Sequence, residues 1–392
     1  MKRVGIVCEC NPFHSGHKYL IEQARAAGAD VIACVMSGCF TQRGEAAICD
    51  PYLRARAVVE GGADLVVELP FPFAASGAEF FANAGVEILS RLGIDELWFG
   101  SECGDVTILE RAADVAQDKD FCARYAASVS TSAGTAEAYL DALSAACGGV
   151  RFSSNDTLGI AYVSAIRRLG TDILPVTVKR SGSAYLDDTV ASKGHPSATA
   201  LRRALREGVR DGLPLLPETR RVIEDAERSG NAFADLRLAE RAILAHLRTR
   251  DPDELEAVAE LSGGLGNRLH SVACQVTSLD ALIEGAMTKK YTRARLWRGI
   301  LFSMTGVGRE DLRRAPAYTR LLAANAVGCA YLSAQRKQKT LDVVTKQSEI
   351  PLTEDAQRQA RLHQNALSLY TLCLPDARAV GELLVKNPVI LK

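Results

Sequence analysis

The first hundred residues alternate short apolar runs with longer stretches of helical periodicity. The runs are almost wholly hydrophobic, which is typical of parallel strands buried on both faces. They cover residues 4–8, 31–36, 65–69 and 96–99, and the helical stretches between them cover residues 16–27, 50–61 and 77–92. This alternation predicts a parallel sheet with right-handed crossovers, whose ligands bind beyond the carboxyl ends of the strands.

Helical periodicity dominates the rest of the chain. One helical stretch covers residues 106–147, and a return to the sheet is predicted at 173–178. From residue 197 onward the apolar spacing is helical, with few candidates for strands. It covers residues 197–207, 234–248, 271–287, 293–304, 317–333 and 356–373. We therefore predict an α/β domain over residues 1–206, followed by an all-helical domain over residues 207–392.

Net charge changes sign between the two halves of a chain that is neutral as a whole. Residues 1–200 contain 17 Lys and Arg against 24 Asp and Glu, whereas residues 201–392 contain 30 against 23. A basic second half favours binding to a polyanion. The alternative interpretation is charge scattered over a solvated surface.

The 11 cysteines include no Cys-x-x-Cys pair, and the closest two are Cys8 and Cys10. This spacing suits neither a disulfide framework nor a zinc site, so we expect no structural metal. The amino-terminal residues enter a short strand and do not resemble a signal peptide, and no apolar run reaches transmembrane length. These features predict a cytoplasmic protein in a reducing cytosol, with no membrane partner.

Two histidines follow the first predicted strand, where a turn leads into a helix. The segment reads Glu-Cys-Asn-Pro-Phe-His-Ser-Gly-His and ends with His14, Gly16 and His17. Nucleotidyl transfer places negative charge on phosphate oxygens, and imidazole donors beside the free N–H groups of a helix start stabilise that charge. Gly16 lets a base or phosphate approach the backbone. Each histidine could instead only cap or pack, but two of six within four residues favour a catalytic role.

A second candidate for phosphate binding lies at the start of another predicted helix. Ser197 and Thr199 supply hydroxyl groups there, and Arg202 follows one turn later. Alone, such a helix start is usually ordinary capping. Paired with His-x-Gly-His, it resembles the second phosphate motif of the nucleotidyltransferase superfamily. The resemblance implies that the first domain is HxGH nucleotidyltransferase-like, with a Rossmann-like parallel sheet.

Other candidate site residues follow the predicted strands and helices at the same edge of the sheet. Their position favours contact with a substrate over a surface ion pair of little energetic value. After the second strand they are Ser37, Gln42, Arg43 and Glu45, and after later elements they are Gly100, Asn155 and Arg180.

Taken together, these motifs closely resemble the tRNA(Met) cytidine acetate ligase family. The resemblance rests on Glu-x-Asn-Pro-Phe-His-x-Gly-His and on the sequences Val-Met-Ser-Gly, Gln-Arg-Gly-Glu, Gly-Ala-Asp-Leu-Val, Glu-Leu-Pro and Phe-Gly-Ser-Glu-x-Gly-Asp. It continues through Asn-Asp-x-Leu-Gly, Tyr185-x-Asp187 and residues 197–202 to Lys-Lys-Tyr-Thr-Arg at residues 289–293, more thinly after residue 206. One position departs from it, because the family usually has tyrosine where this chain has Cys10.

The resemblance implies a two-step reaction. Acetate attacks the α-phosphate of ATP, giving acetyl-adenylate and pyrophosphate. The exocyclic amine of the wobble cytidine in elongator tRNA(Met) then takes the acetyl group to give N4-acetylcytidine. Magnesium (Mg2+) is expected to accompany the ATP.

The same resemblance implies roles for individual residues. His14 and His17 would stabilise the phosphates, and Ser197, Thr199 and Arg202 would hold the departing pyrophosphate. Carried over by position, the contacts to ATP are Val7, Cys8, Glu9, Cys10, Asn11, Pro12, Phe13, His14, Ser15, Gly16, His17, Lys18, Tyr19, Leu20, Gly100, Asn155 and Arg180.

Basic residues cluster around two aromatic rings in the second half of the chain. Cations neutralise phosphates and aromatic rings stack on unpaired bases, so we predict tRNA contacts for the cations. They are Lys289, Lys290, Arg293, Arg295 and Arg298, close to Tyr291 and Trp297. For Trp297 we predict burial in the core, as is usual for large aromatic residues.

Two other functions remain open from the residues alone. One is a small-molecule adenylyltransferase, which would not require the long helical half. The other is an RNA-binding protein with a catalytically silent nucleotide site, against which the intact histidine pair argues. The residues also do not distinguish acetate from another small carboxylate.

Overall fold

The computed structural model describes residues 1–131, 136–180, 198–336, 338 and 340–392. Within these ranges, eight strands belong to one sheet. The strands are β1 (Arg3–Cys8), β2 (Val31–Ser37), β3 (Leu65–Leu69), β4 (Glu96–Ser101), β5 (Leu174–Lys179), β6 (Thr319–Ala324), β7 (Val343–Val344) and β8 (Val389–Ile390).

The order of the strands creates a binding crevice. They are arranged β5–β4–β1–β2–β3–β6–β7, with β8 also paired to β6. The first five strands are mutually parallel, whereas β6 runs antiparallel to β3. The order reverses at β1, because β2 and β3 lie on one side of it and β4 and β5 on the other. Parallel sheets bind ligands at such a reversal, beyond the carboxyl ends of the strands.

Helices account for most of the remaining described chain. In chain order they are α1 (Ser15–Ala26), α2 (Pro51–Glu60), α3 (Ala78–Arg91), α4 (Val106–Gln117), α5 (Lys119–Thr131), α6 (Ala136–Ala146), α7 (Ser154–Leu169), α8 (Ala198–Arg206), α9 (Pro217–Arg228), α10 (Glu240–Thr249), α11 (Pro252–Ala257), α12 (Leu265–Ala273), α13 (Leu279–Ala286), α14 (Arg293–Thr305), α15 (Arg309–Arg313), α16 (Ala326–Arg336), α17 (Glu354–Leu372) and α18 (Gly381–Leu384). None of these described helices is long and apolar enough to cross a membrane.

Helices cover both faces of the sheet because alternate strand residues point to opposite sides. Val35 and Val67 pack in a core with α3, α4 and α7. Cys34 and Val66 pack in a second core with α1, α2 and α9. A third core joins α10, α12, α13, α14 and α17. These five helices of the second half therefore form a helical layer around a hydrophobic core of their own.

The predicted α/β fold class followed by a mainly helical region is confirmed, and the five predicted strands lie within two residues of their observed bounds. The helix predicted over residues 317–333 is wrong for its first part, which is strand β6. All six residues of β6 are buried. A fully buried run has no polar face, so its periodicity does not separate strand from helix. Strands from both sides of residue 206 thus share the sheet, and the two-domain division remains a prediction.

Candidate active site

A cavity of about 230 Å³ opens at the carboxyl ends of β1, β4 and β5, where the strand order reverses. Most of the residues predicted to contact a nucleotide line it. They are Val7, Cys8, Glu9, Cys10, Asn11, His14, Gly16, His17, Tyr19, Leu20, Gly100, Asn155, Arg180, Thr199 and Arg202, joined by the predicted substrate residues Gln42 and Arg43.

The two histidines are fixed by the backbone at the start of α1. His14 is the N-cap residue, and its Nδ1 accepts a hydrogen bond from the Gly16 amide at 3.0 Å. His17 Nδ1 in turn accepts from the His14 amide at 3.3 Å. The two ring centroids are 3.9 Å apart. Because each Nδ1 acts as an acceptor, the proton of each neutral ring is on Nε2, which becomes a hydrogen-bond donor.

Both rings are suited to remain neutral donors. Burial, helped by the positive charge of Arg180 and opposed by Cys8, lowers the pKa of His17 to about 4. A second positive charge would also be unfavourable at the short distance between the rings. A helix start with two preset imidazole donors stabilises phosphate without a large rearrangement of the protein.

Arg202 connects three separate segments beside the histidines. Its guanidinium donates to the Asn11 carbonyl at 2.8 Å and to Thr199 Oγ1 at 3.4 Å. It also forms an ion pair with Glu45 at 3.1 Å. The side chain is buried, and buried arginine usually has several acceptors of this kind. The predicted second phosphate motif therefore lies against the first, as expected, except that Ser197 is outside the described residues.

The other side of the cavity is built around Glu102. Its carboxylate accepts from Asn155 Nδ2 at 2.7 Å and pairs with Arg180 Nε at 3.3 Å. It also accepts a hydrogen bond from the Ser153 hydroxyl. A Cβ atom on Gly100 would lie 3.1 Å from the Arg180 side chain, so glycine leaves the guanidinium room over the strand end. Two predicted nucleotide contacts, Asn155 and Arg180, thus share the carboxylate of Glu102, a residue of the Phe-Gly-Ser-Glu motif to which the sequence analysis gave no role.

Some predicted site residues do not line the cavity. Phe13 is buried, and its carbonyl accepts from Thr219 at 2.7 Å. Lys18 pairs with Glu218 at 3.1 Å, and Glu45 acts through Arg202. Ser37 is fully buried at the end of β2. Pro12 and Ser15 also belong to the predicted segment but are not part of the cavity lining. Phe13, Lys18 and Glu45 thus connect their segments to neighbouring parts of the chain.

Arg54 on α2 is a positioning residue that the sequence prediction missed. Its side chain is buried, and it donates to the carbonyls of Glu9 at 2.6 Å, Ser37 at 2.9 Å and Cys49 at 3.1 Å, as well as to Gly38. It thereby joins the loops that follow β1 and β2. The one signal in the sequence was an arginine on an otherwise apolar face of α2.

The predicted RNA-binding cations divide into two groups. Lys289, Lys290 and Arg293 are exposed before and at the start of α14. Arg295 instead donates to the carbonyls of Glu260 and Ser262, both at 2.9 Å, and Arg298 pairs with Glu260 at 2.9 Å. Trp297 is buried, as predicted. The guanidinium groups of Arg295 and Arg298 therefore have a structural use within the helical layer.

The loop from Gln42 to Glu45 lies between the cavity and α14. The backbone amide of Gln42 donates to the Glu9 carboxylate at 2.8 Å, and the backbone carbonyl of Gln42 accepts from the Arg298 guanidinium at 3.5 Å. Gly44 has φ of +75°, and a Cβ there would be 2.6 Å from the Arg298 nitrogen. Only glycine satisfies both conditions. This loop therefore lines the cavity on one side and contacts α14 on the other.

Within the described ranges, no group of three or more His, Cys, Asp or Glu side chains is arranged to hold a metal ion. Two carboxylates that line the cavity, Glu9 and Glu102, already accept hydrogen bonds from protein donors. The expectation of no structural metal therefore stays a prediction that the described residues do not oppose.

Comparison with known sequences gives consistent matches over almost the whole chain. The family model of the HIGH nucleotidyl transferases matches residues 1–382. The tRNA(Met) cytidine acetate ligase of Syntrophotalea carbinolica is 34% identical over 97% of this chain and 96% of its own length. The enzyme of the same name from Acetivibrio thermocellus is 32% identical over the full length of both chains.

Solved structures show the same similarity in three dimensions. The apo crystal structure of Thermotoga maritima TmcAL superposes with a TM-score of 0.92, at 29% identity and with full coverage of both chains. A second crystal structure of that protein, bound with alpha-thio ATP, superposes with a TM-score of 0.89.

Proposed function

The chain belongs to the tRNA(Met) cytidine acetate ligase family of HIGH nucleotidyl transferases, and we propose that it uses ATP and acetate to acetylate the wobble cytidine of elongator tRNA(Met). The observation that carries the proposal is the pair of neutral imidazole donors at the start of α1, on the wall of a cavity at the reversal of strand order. We propose acetyl-adenylate as the intermediate and AMP and pyrophosphate as the other products.

In the first step acetate attacks the α-phosphate of ATP, and His14 and His17 meet the charge that develops. Their Nε2 protons are in place before reaction, so stabilisation needs no proton transfer. Thr199 and Arg202 are in the first turns of α8, and Arg202 also contacts the segment before α1. These two side chains hold the departing pyrophosphate. Glu102 positions Arg180 and Asn155, which contact the nucleotide on the other side. No protein nucleophile takes part.

In the second step the cytidine amine attacks the acetyl carbon and releases AMP. The exposed cations Lys289, Lys290 and Arg293 bind the tRNA backbone, because they are available to phosphates. The loop from Gln42 to Glu45 places the cavity directly beside that helix. Magnesium would arrive with the triphosphate, as Mg2+ usually does, because the described residues offer no metal cage. A tRNA substrate implies a cytoplasmic site of action.

The test follows radiolabelled acetate into tRNA with and without ATP. The wild-type protein should give ATP-dependent label that is recovered as N4-acetylcytidine. His17→Asn removes the Nε2 donor, and we expect a loss of at least about a hundredfold in rate, similar to removal of one oxyanion donor. Affinity for tRNA should be unchanged within about twofold, since the proposed phosphate contacts are on α14 and the segment before it and not on α1. His270→Asn, a histidine on α12, is the matched control.

Absence of label with a folded protein that binds ATP would contradict the proposal and favour a small-molecule adenylyltransferase. Binding of tRNA without turnover would favour the silent RNA-binding protein. A wild-type rate in His17→Asn would refute the role of the histidine while leaving the overall reaction intact.

A further inference from the structure

The cavity contains side-chain donors that have no partner among the described residues. They are Asn11 Nδ2, Gln42 Nε2 and the Tyr162 hydroxyl, each a buried atom of a residue that lines the cavity. Leaving a buried donor without a hydrogen-bond partner is unfavourable, because the donor has lost its bond to water. Native proteins rarely keep such groups without a role, and three in one cavity point to a ligand with oxygen acceptors.

The residues that carry these donors are connected to Glu9. The backbone amide of Gln42 donates to the Glu9 carboxylate at 2.8 Å, and Asn11 is two residues further along the chain from Glu9. The charge of Glu9 contributes to the raised pKa of Tyr162, whose main cause is burial. Glu9 is half-buried, and its desolvation raises its pKa, whereas the hydrogen bond from the Gln42 backbone and the charges of Arg202 and Arg43 partly offset that rise. Glu45, Arg43 and Arg202 are therefore charged groups that act on Glu9 in this cavity.

All three donors belong to residues that other contacts hold in place. Asn11 Oδ1 accepts from the Ile48 amide at 2.8 Å, which fixes the direction of its NH2 group. The backbone of Gln42 is held on one side by Glu9 and on the other by Arg298. Tyr162 packs against Phe99, with ring centroids 5.5 Å apart. Preorganised donors of this kind bind a ligand without a further cost in side-chain entropy.

Part of the cavity wall is apolar. Val7, Phe81, Phe99 and Leu158 line the same cavity as Tyr162. A small guest with two oxygen atoms and a methyl group would match both parts of the wall. Neutral amide and hydroxyl donors orient a carboxylate with less loss of nucleophilicity than a direct ion pair would cause.

We propose that Asn11, Gln42 and Tyr162 form the subsite for the short-chain carboxylate substrate, and that they keep the acetyl carbonyl in place after adenylation. This inference rests on the proposed function, because it assigns acetate to that same cavity. It gives Tyr162 a substrate-binding role that the sequence did not suggest. It also places the acyl group beside the loop that contacts α14, the side from which the tRNA approaches.

The experiment measures acetylation of tRNA at varied acetate and saturating ATP. Tyr162→Phe removes one hydroxyl and keeps the ring, so we expect the KM for acetate to rise about tenfold or more, as for a hydrogen bond to a charged group. The KM for ATP should stay within about twofold of the wild-type value. Gln42→Met removes the amide at similar length and should give the same split.

Tyr318→Phe is the matched control, because its hydroxyl is also buried but lies outside the cavity. It should leave the KM for acetate unchanged. An unchanged KM for acetate in both Tyr162→Phe and Gln42→Met would overturn the subsite. An equal rise in the KM for ATP would overturn it as well, because it would assign these donors to the nucleotide. Absence of any acetylation by the wild-type protein would instead refute the proposed function.

Discussion

At the scale of single residues, the chemistry of the site depends on side chains whose state is set by the backbone. His14 and His17 each accept a backbone hydrogen bond at Nδ1, and burial then lowers the pKa of His17. The sequence predicted the pair and its position at a helix start. It did not predict Arg54 or Tyr162, because their partners come from distant parts of the chain.

The protonation state of His17 is testable directly. Its pKa of about 4 lies below the ordinary value of 6.5, so the folded protein keeps the ring neutral over the whole range from pH 5.5 to pH 8. We expect the His17 signal in a histidine-selective NMR titration to stay at its neutral position down to about pH 5. The signal is assigned by its loss in His17→Asn. A midpoint near pH 6.5 would contradict a buried neutral donor.

The same pKa shift has a consequence for stability. As the pH falls below 6.5, this histidine becomes protonated in the unfolded chain but stays neutral in the folded protein. The shift therefore has no effect on the free energy of unfolding above pH 6.5. Below that pH the unfolded state is favoured, and stability is lost as the pH falls toward about 4. His363 is fully buried and shifts in the same direction. Both histidines thus contribute to destabilisation in acid.

At the scale of elements, α14 combines a structural function with a proposed binding function. Its buried face carries Trp297, and Arg295 and Arg298 connect it to the 260–262 loop and to Gln42. Exposed cations occupy its start. The sequence predicted the cluster but could not divide it, because the acceptors of Arg295 and Arg298 are more than 30 residues away.

Replacement of the exposed cations tests whether they bind tRNA while Arg295 and Arg298 serve the structure. Lys289→Ala/Arg293→Ala should weaken tRNA binding and lower the slope of log affinity against log salt by about 1.5–2, because two phosphate contacts are lost. The melting temperature should not change. Arg228→Ala/Arg250→Ala removes two exposed charges from other helices and is the control. Fluorescence anisotropy at several salt concentrations is the measurement, and an unchanged slope would argue against phosphate contacts here.

At the scale of the whole molecule, the first and second halves are joined by polar as well as apolar contacts. Glu68 on β3 is buried, with His363 Nδ1 of α17 at 3.6 Å and Arg320 Nε of β6 at 3.9 Å. Local patterns predicted β1 to β5 because each has its own apolar run and turn. They did not predict that β6 returns to the sheet, since antiparallel pairing across more than 240 residues leaves no local signal.

The buried carboxyl group of Glu68 should make the free energy of unfolding depend on pH. Burial raises the pKa of Glu68 to about 7, and Arg320 and Arg54 oppose the shift. Between pH 4.5 and 7 the folded protein therefore holds a proton that the unfolded chain has released. The contribution of this group to stability is present at low pH and is lost as the pH rises through 7. Glu68→Gln cannot ionise and should remove this part of the pH dependence.

From pH 5.5 to pH 8 we expect the free energy of unfolding of Glu68→Gln to rise by roughly 2 kcal/mol relative to the wild-type value. Urea denaturation at both pH values gives this difference, and any constant effect of the substitution cancels in it. Glu310→Gln, an exposed carboxylate, should show no such trend. A constant difference between Glu68→Gln and wild type would mean that Glu68 is ionised in the folded protein across this range. The contact between the two halves would then be an ion pair with Arg320 and not a protonated carboxyl group.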